Sequence, residues 1–156
     1  MFSMGLDYDN NANGAAPQYN GTIAAIQWRS NINGTCLTRQ QYRFTYDFAN
    51  LLLTANHFTH NGFLWVNTNN YSESNITYDL NGNLKTYNRR GQMPDLSFNV
   101  IDNLTYSYGD AARPDRLTNV TDRGNANKGF NPTWLCDICF SLKRNYFSTI
   151  FNIFKY

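Results

Sequence analysis

The sequence predicts an all-β protein built from consecutive antiparallel β-hairpins, and three observations carry that expectation. The first is composition: 24 asparagines and 16% aromatic residues, mostly Tyr and Phe. Aromatic residues suit a pleated, half-buried surface, whereas Asn and Gly tolerate the left-handed backbone of tight turns and are poor in helix interiors. The second is a recurring phrase in which an aromatic-aspartate pair is followed by a turn and then a leucine. The third is that no segment before Trp134 carries a helical period. A chain of 156 residues supplies about one ordinary domain.

The phrase is clearest in Ile76-Thr77-Tyr78-Asp79-Leu80-Asn81-Gly82-Asn83-Leu84-Lys85-Thr86. A two-residue Asn81-Gly82 loop would set Tyr78 against Lys85 and Asp79 against Leu84, mixing polar and apolar on both faces. A three-residue loop, Leu80-Asn81-Gly82, sets Tyr78 against Leu84 and Ile76 against Thr86. Thr77, Asp79, Asn83 and Lys85 then share the other face. Gly82 takes the left-handed bulge position, and Asp79 opens a type I turn whose backbone N–H groups its carboxylate can accept.

The same grammar recurs in Phe44-Thr45-Tyr46-Asp47-Phe48-Ala49-Asn50-Leu51-Leu52-Leu53-Thr54, with Asn50 in the place of Gly82 and Leu52 in that of Leu84. Asn is the next-best residue for a left-handed backbone. Two longer-looped copies complete the set. One runs from Leu6-Asp7-Tyr8-Asp9 to Gly21-Thr22-Ile23, the other from Leu104-Thr105-Tyr106-Ser107-Tyr108 to Arg116-Leu117-Thr118. The four tyrosines, Tyr8, Tyr46, Tyr78 and Tyr108, stand at intervals of about 30 to 40 residues, a range expected of repeat architectures. Units of this size cannot bury a face alone and must stack on neighbours. Ile23 to Arg29 and Phe63 to Asn67 read as further strands. Thr68-Asn69-Asn70, Gly91 to Asp95 and Asn125 to Pro132 read as loops.

Over about Leu6 to Pro132 these residues resemble the YD-repeat, or Rhs-repeat, family of Bacteroidetes-like bacteria, whose loose pattern is Tyr-Asp, a few residues, Gly or Asn, a polar residue, then Leu-Thr. The motif residues are Tyr46, Asp47, Asn50 and Leu52; Tyr78, Asp79, Gly82 and Leu84; and Tyr108, Arg116 and Leu117. The resemblance implies a strip of hairpins that spirals, in full-length relatives, into a hollow β-shell enclosing a toxic domain or forming an adhesion module. Residues 1–133 are then a YD-repeat region, a partial shell and a fragment of a larger secreted or cell-surface parent. Its partners are the parent's remaining repeats. The family's self-cleaving core segment is not evident, so no protease residues are carried over. Leu51 stands where relatives usually carry a polar residue.

Residues 134–156 form an atypical aromatic tail, read as truncated or frameshifted. Phe140, Phe147, Ile150, Phe151 and Phe154 fall near helical spacing, leaving room for one short C-terminal helix. Cys136-Asp137-Ile138-Cys139 is a C-x-x-C without a second pair, and only Cys36, His57 and His60 remain as soft ligands. A closed zinc site is therefore not expected. His57 and His60 lie three apart, which on a strand puts them on opposite faces.

No nucleophile elbow, phosphate loop or H-E-x-x-H occurs, and each aspartate has a turn explanation, so the expectation is a non-enzymatic module with no cofactor and no metal. A net charge of +2 with only 15% charged residues does not suggest nucleic-acid binding. No run of about 18 apolar residues offers a membrane span, and no signal peptide is visible. Two readings stand. The chain is a structural shell or scaffold, or it is a carbohydrate or cell-surface binding module using exposed aromatics, with Trp65 and Tyr42 the candidate platforms. Unpaired strand edges make self-association a further expectation.

Overall fold

The computed structural model describes residues 2–11, 13–32, 35–109, 111–125 and 127–130. Among them there are ten strands and no helix: β1 (Phe2–Asp7), β2 (Ala25–Ile32), β3 (Thr35–Cys36), β4 (Gln40–Tyr46), β5 (Leu52–His60), β6 (Trp65–Asn67), β7 (Glu73–Tyr78), β8 (Leu84–Gln92), β9 (Phe98–Tyr108) and β10 (Leu117–Asp122). They form one open antiparallel sheet in the order β1-β2-β4-β5-β7-β8-β9-β10, with β3 beside β2 and β6 beside β5. The four predicted copies are the hairpins β1/β2, β4/β5, β7/β8 and β9/β10. The tail helix and the Cys136/Cys139 pair lie outside the described residues, as does the boundary at residue 133.

The turn chemistry follows the expected three-residue loop. Tyr78 faces Leu84, and Gly82 has φ +79°, which costs glycine nothing. In the second copy Tyr46 faces Leu52 and Asn50 takes φ +64°.

One register expectation is corrected. Thr86 lies opposite Thr77, not Ile76, because an extra residue, Lys85, intervenes on β8 just after the Tyr78–Leu84 pair. The same shift follows Leu52, where Thr45 faces Thr54, and follows Leu117, where Ser107 faces Asn119. This recurrent β-bulge moves the following residues across by one. Ala55, Tyr87 and Val120, each three residues past a leucine of the motif, thereby turn inward; Ile26, three past Ile23, also faces inward, and all four are under 9% exposed. The threonine pairs go to the other face and bond to each other, Thr45 to Thr54 at 2.7 Å and Thr77 to Thr86 at 2.6 Å.

Two loop expectations also shift. Gly91 and Gln92 belong to β8, paired with Asn99 and Phe98. A Cβ at Gly91 would come within 2.7 Å of Cδ1 at the end of the Ile101 side chain. Phe63 and Leu64 lie in the turn before the short strand β6 and are exposed.

The inward face carries two apolar clusters. Ile26, Tyr42, Phe44 and Ala55 make one, and Ile76, Tyr87, Leu104 and Val120 the other. Leu52 packs against both. Stacked rings of Trp28 and Tyr42, 5.5 Å apart at 20°, with Tyr71 and Phe98 edge-on at 5.0 Å, fill the first region with aromatic area.

Candidate functional site: a tyrosine ladder and a buried polar row

The motif tyrosines make the same contact at each junction between hairpins. Tyr46 donates its hydroxyl hydrogen to the Ile23 carbonyl at 2.8 Å, Tyr78 to the Leu52 carbonyl at 2.9 Å, and Tyr108 to the Leu84 carbonyl at 2.8 Å. The acceptor is always the Ile or Leu that closes the preceding hairpin. Each tyrosine ring thus packs against the leucine of its own hairpin while its hydroxyl joins the one before. A hydrogen bond of this kind contributes about 1 kcal/mol, and leaving its half-buried carbonyl unpaired costs more than the bond itself is worth. Burial holds the Tyr46 hydroxyl pKa up at about 12, so the donor stays protonated at every ordinary pH.

The aspartates organise the loops between rungs. Asp79 Oδ1 accepts from the backbone N–H groups of Asn81 and Asn83, both at 2.9 Å. Asp47 Oδ1 does the same for Ala49 and Leu51, at 2.8 and 2.9 Å. The backbone closes identically in both loops, Asp79 N–H to Asn83 and Asp47 N–H to Leu51, each at 2.9 Å. The Asn83 bonds hold the Asp79 carboxyl below the usual carboxylate range. Successive loops also touch: Asn83 Nδ2 donates to Asp115 in the next copy at 2.9 Å, and Asn20 donates to Asn50. Arg116 is exposed at the entry to β10 and takes no rung of the ladder; its neighbour Leu117 faces Tyr108.

A second feature was not anticipated from the sequence. Phe44, Ala55, Glu73, Arg89 and Asp102 are successive cross-strand partners, which places an acid, a base and an acid side by side. Asp102 is 2% exposed and Glu73 3%. Arg89 Nε meets Asp102 Oδ2 at 2.6 Å, and Asp102 Oδ1 accepts the Phe130 N–H at 2.5 Å. Glu73 accepts from the Tyr87 hydroxyl, yet burial raises its pKa to about 7. A sequence signal existed: Glu73 is the sole glutamate of the chain, and it stands between two serines at the start of β7, where no turn accounts for it. Ser72 beside it is 1% exposed and bonds the His57 N–H at 2.9 Å.

The candidate ligand-binding aromatics separate. Tyr42 is 3% exposed, its hydroxyl bonded to the Tyr71 carbonyl at 2.9 Å. It is a core residue, so the expectation of a solvent-facing platform is corrected. Trp65 is half-buried on β6, with Arg39 5.5 Å from its ring centroid and His60 edge-on at 5.0 Å. Beside it an open groove of about 570 Å³ is lined by Arg29, Cys36, Arg39, Thr59, His60 and Asn61 among others.

His57 and His60 both lie on β5, on opposite faces. His57 is buried, bonds Thr68 Oγ1 at 2.7 Å, and burial lowers its pKa to about 4. No group of three or more His, Cys, Asp or Glu residues able to hold a metal occurs among the described residues. No helix among them is long and apolar enough to cross a membrane. Comparison of the chain with protein-family models, with curated proteins and with solved structures returned no match.

Proposed function

We propose that this chain is a non-enzymatic structural module of the YD-repeat type, a run of hairpins that serves as shell or scaffold within a larger secreted or cell-surface protein. The observation that carries the reading is the repetition of one contact set. Three successive tyrosines bond the closing carbonyl of the preceding hairpin, and two aspartates hold their loops with the same four bonds. Such a unit extends by addition of further copies, and each added hairpin gains its stability from its neighbour. The DNA on both sides of this reading frame tests it. Further Tyr-Asp copies with a Leu at the same offset are the expected finding, in the same frame or beyond a frameshift near Pro132. Flanks without such copies would remove the scaffold reading.

A second reading is favoured by one observation, the juxtaposition of Trp65, Arg39 and His60 at the rim of the groove. An aromatic face beside two arginines suits an anionic carbohydrate. Reproducible glycan-array binding that is lost in Trp65→Ala would establish recognition over scaffolding, and an array without signal would remove it.

A further inference from the structure

Among the described residues the sheet ends in β1 and β10, and the repeat geometry gives each edge half of a contact that the other completes. Two of the three internal junctions, β2/β4 and β8/β9, share one register. Ile26, three residues past Ile23, faces Tyr42, four before Tyr46; Tyr87, three past Leu84, faces Leu104, four before Tyr108. One residue earlier in the hairpin, Ala25 faces Arg43 and Thr86 faces Thr105. Between β5 and β7 the facing pair is Ala55 and Glu73, displaced by the irregularity around Asn75, whose φ is +52°.

The same rule applied from Leu117 to Tyr8 sets Val120 against Met4, Asn119 against Gly5 and Thr121 against Ser3. It also brings the Tyr8 hydroxyl to the Leu117 carbonyl. Leu117 is the next acceptor position in the ladder, and no tyrosine follows it among the described residues. Tyr8 is the first tyrosine of the series, 38% exposed, and follows the edge strand β1.

Side chains and backbone both fit that register. Phe2, Met4 and Leu6 are 54, 55 and 41% exposed, and strand alternation puts them on one face. It is the inward face, since Leu6 is the partner of Ile26. The apolar stripe therefore continues the core and stops at an open edge. Asp7 turns its carbonyl to β2, accepting the Ala24 N–H at 2.8 Å, so Met4 and Leu6 direct their N–H and C=O groups away from β2. Phe44, at the position equivalent to Leu6, directs its N–H to the preceding hairpin in the same way, bonding Ala24 at 3.0 Å. No two like charges face each other in the register.

We infer that β1 of one copy of this chain adds antiparallel to β10 of a second copy, with Val120 against Met4 and the Tyr8 hydroxyl on the Leu117 carbonyl. The interface is head-to-tail, so it leaves one edge free at each end and builds open chains of copies. The inference takes its register from the repeat reading above.

Cysteine cross-linking of the full chain tests it. Cys36, Cys136 and Cys139 are replaced by Ser, and Ser3→Cys and Thr121→Cys are made in separate chains. Ser3 turns its backbone groups toward β2, so its pairing with Thr121 is of the close, non-hydrogen-bonded type that a disulfide can span. Under mild oxidation the mixture is expected to give the mixed disulfide dimer, and neither chain alone is expected to give a dimer. In sedimentation velocity the wild-type mass should rise with concentration. Met4→Pro should abolish the rise while far-UV circular dichroism stays unchanged, and Tyr8→Phe should weaken association about fivefold, the loss of one ordinary hydrogen bond.

Homodimers forming as readily as the mixed dimer, or a wild-type chain that stays monomeric at all concentrations, would overturn the inference. A monomer whose β10 amides resist hydrogen exchange would assign that edge to residues 131–156 and overturn it equally. The intrachain ladder is read separately by the Tyr78→Phe stability change below, so either idea can fail without the other.

Discussion

Glu73→Gln is expected to make the protein more stable at pH 8 and to change little at pH 5. Glu73 is 3% exposed, and burial lifts its pKa from the ordinary 4.5 to about 7, with Tyr87 and Arg89 pulling it down and Asp102 pushing it up. The folded state therefore holds this proton more tightly than the unfolded chain does. Between pH 4.5 and 7 the native protein binds more protons, so stability falls as pH rises through that window. A displacement of about 2.5 units corresponds to roughly 3 kcal/mol at full ionisation. Gln keeps an acceptor for the Tyr87 hydroxyl and has no proton to lose.

Urea unfolding of both proteins at pH 5 and pH 8, with equal m-values, gives the difference directly. His57, whose pKa is lowered to about 4 by burial, costs stability as pH falls below its ordinary 6.5, but it does so in both proteins and cancels. A Gln variant no more stable than wild type at pH 8, or stabilised equally at both pH values, would refute a buried, reluctantly ionised Glu73.

Three further outcomes follow from the repeat geometry. Tyr78→Phe removes the bond to the Leu52 carbonyl and leaves that carbonyl unpaired, so it should lower urea stability by roughly 1–3 kcal/mol, whereas Tyr19→Phe, at an 83% exposed site, should leave it unchanged. Gly82→Ala forces a side chain to φ +79° and should cost roughly 1–2 kcal/mol by thermal unfolding; Asn50→Gly, at φ +64°, should be neutral or stabilising. Asp79→Ala removes the acceptor for Asn81 and Asn83 and should lower the melting temperature, while Asp79→Asn, which keeps an acceptor oxygen, should lower it less.

The hairpins were legible because their signals are local. A left-handed residue, a turn-opening aspartate and an aromatic three residues before the loop residue Asn81 determine the Tyr78–Leu84 pairing within a few residues. The bulge after each leucine was not legible. Lys85 and Leu53 carry no special backbone preference, and the reason for the bulge lies across the sheet, where Tyr87 and Ala55 must reach the core. The tyrosine hydroxyls escaped notice for the same reason, since their acceptors lie 23 to 26 residues away in another hairpin. An aromatic in a strand looks the same from sequence on either face, so the sequence does not assign Tyr42 to one. Its partner Ile26 and the stack with Trp28 assign it to the core. The Glu73–Arg89–Asp102 row needed three strands in register before its members became neighbours.

Tyrosine hydroxyls stitch each hairpin to the carbonyl that closed the previous one. Solution NMR of the hydroxyl protons tests it most directly. Slowly exchanging hydroxyl resonances are expected for Tyr46, Tyr78 and Tyr108, with cross-peaks to the residues flanking the Ile23, Leu52 and Leu84 carbonyls respectively. Hydroxyls in fast exchange with water, or cross-peaks to other strands, would contradict it.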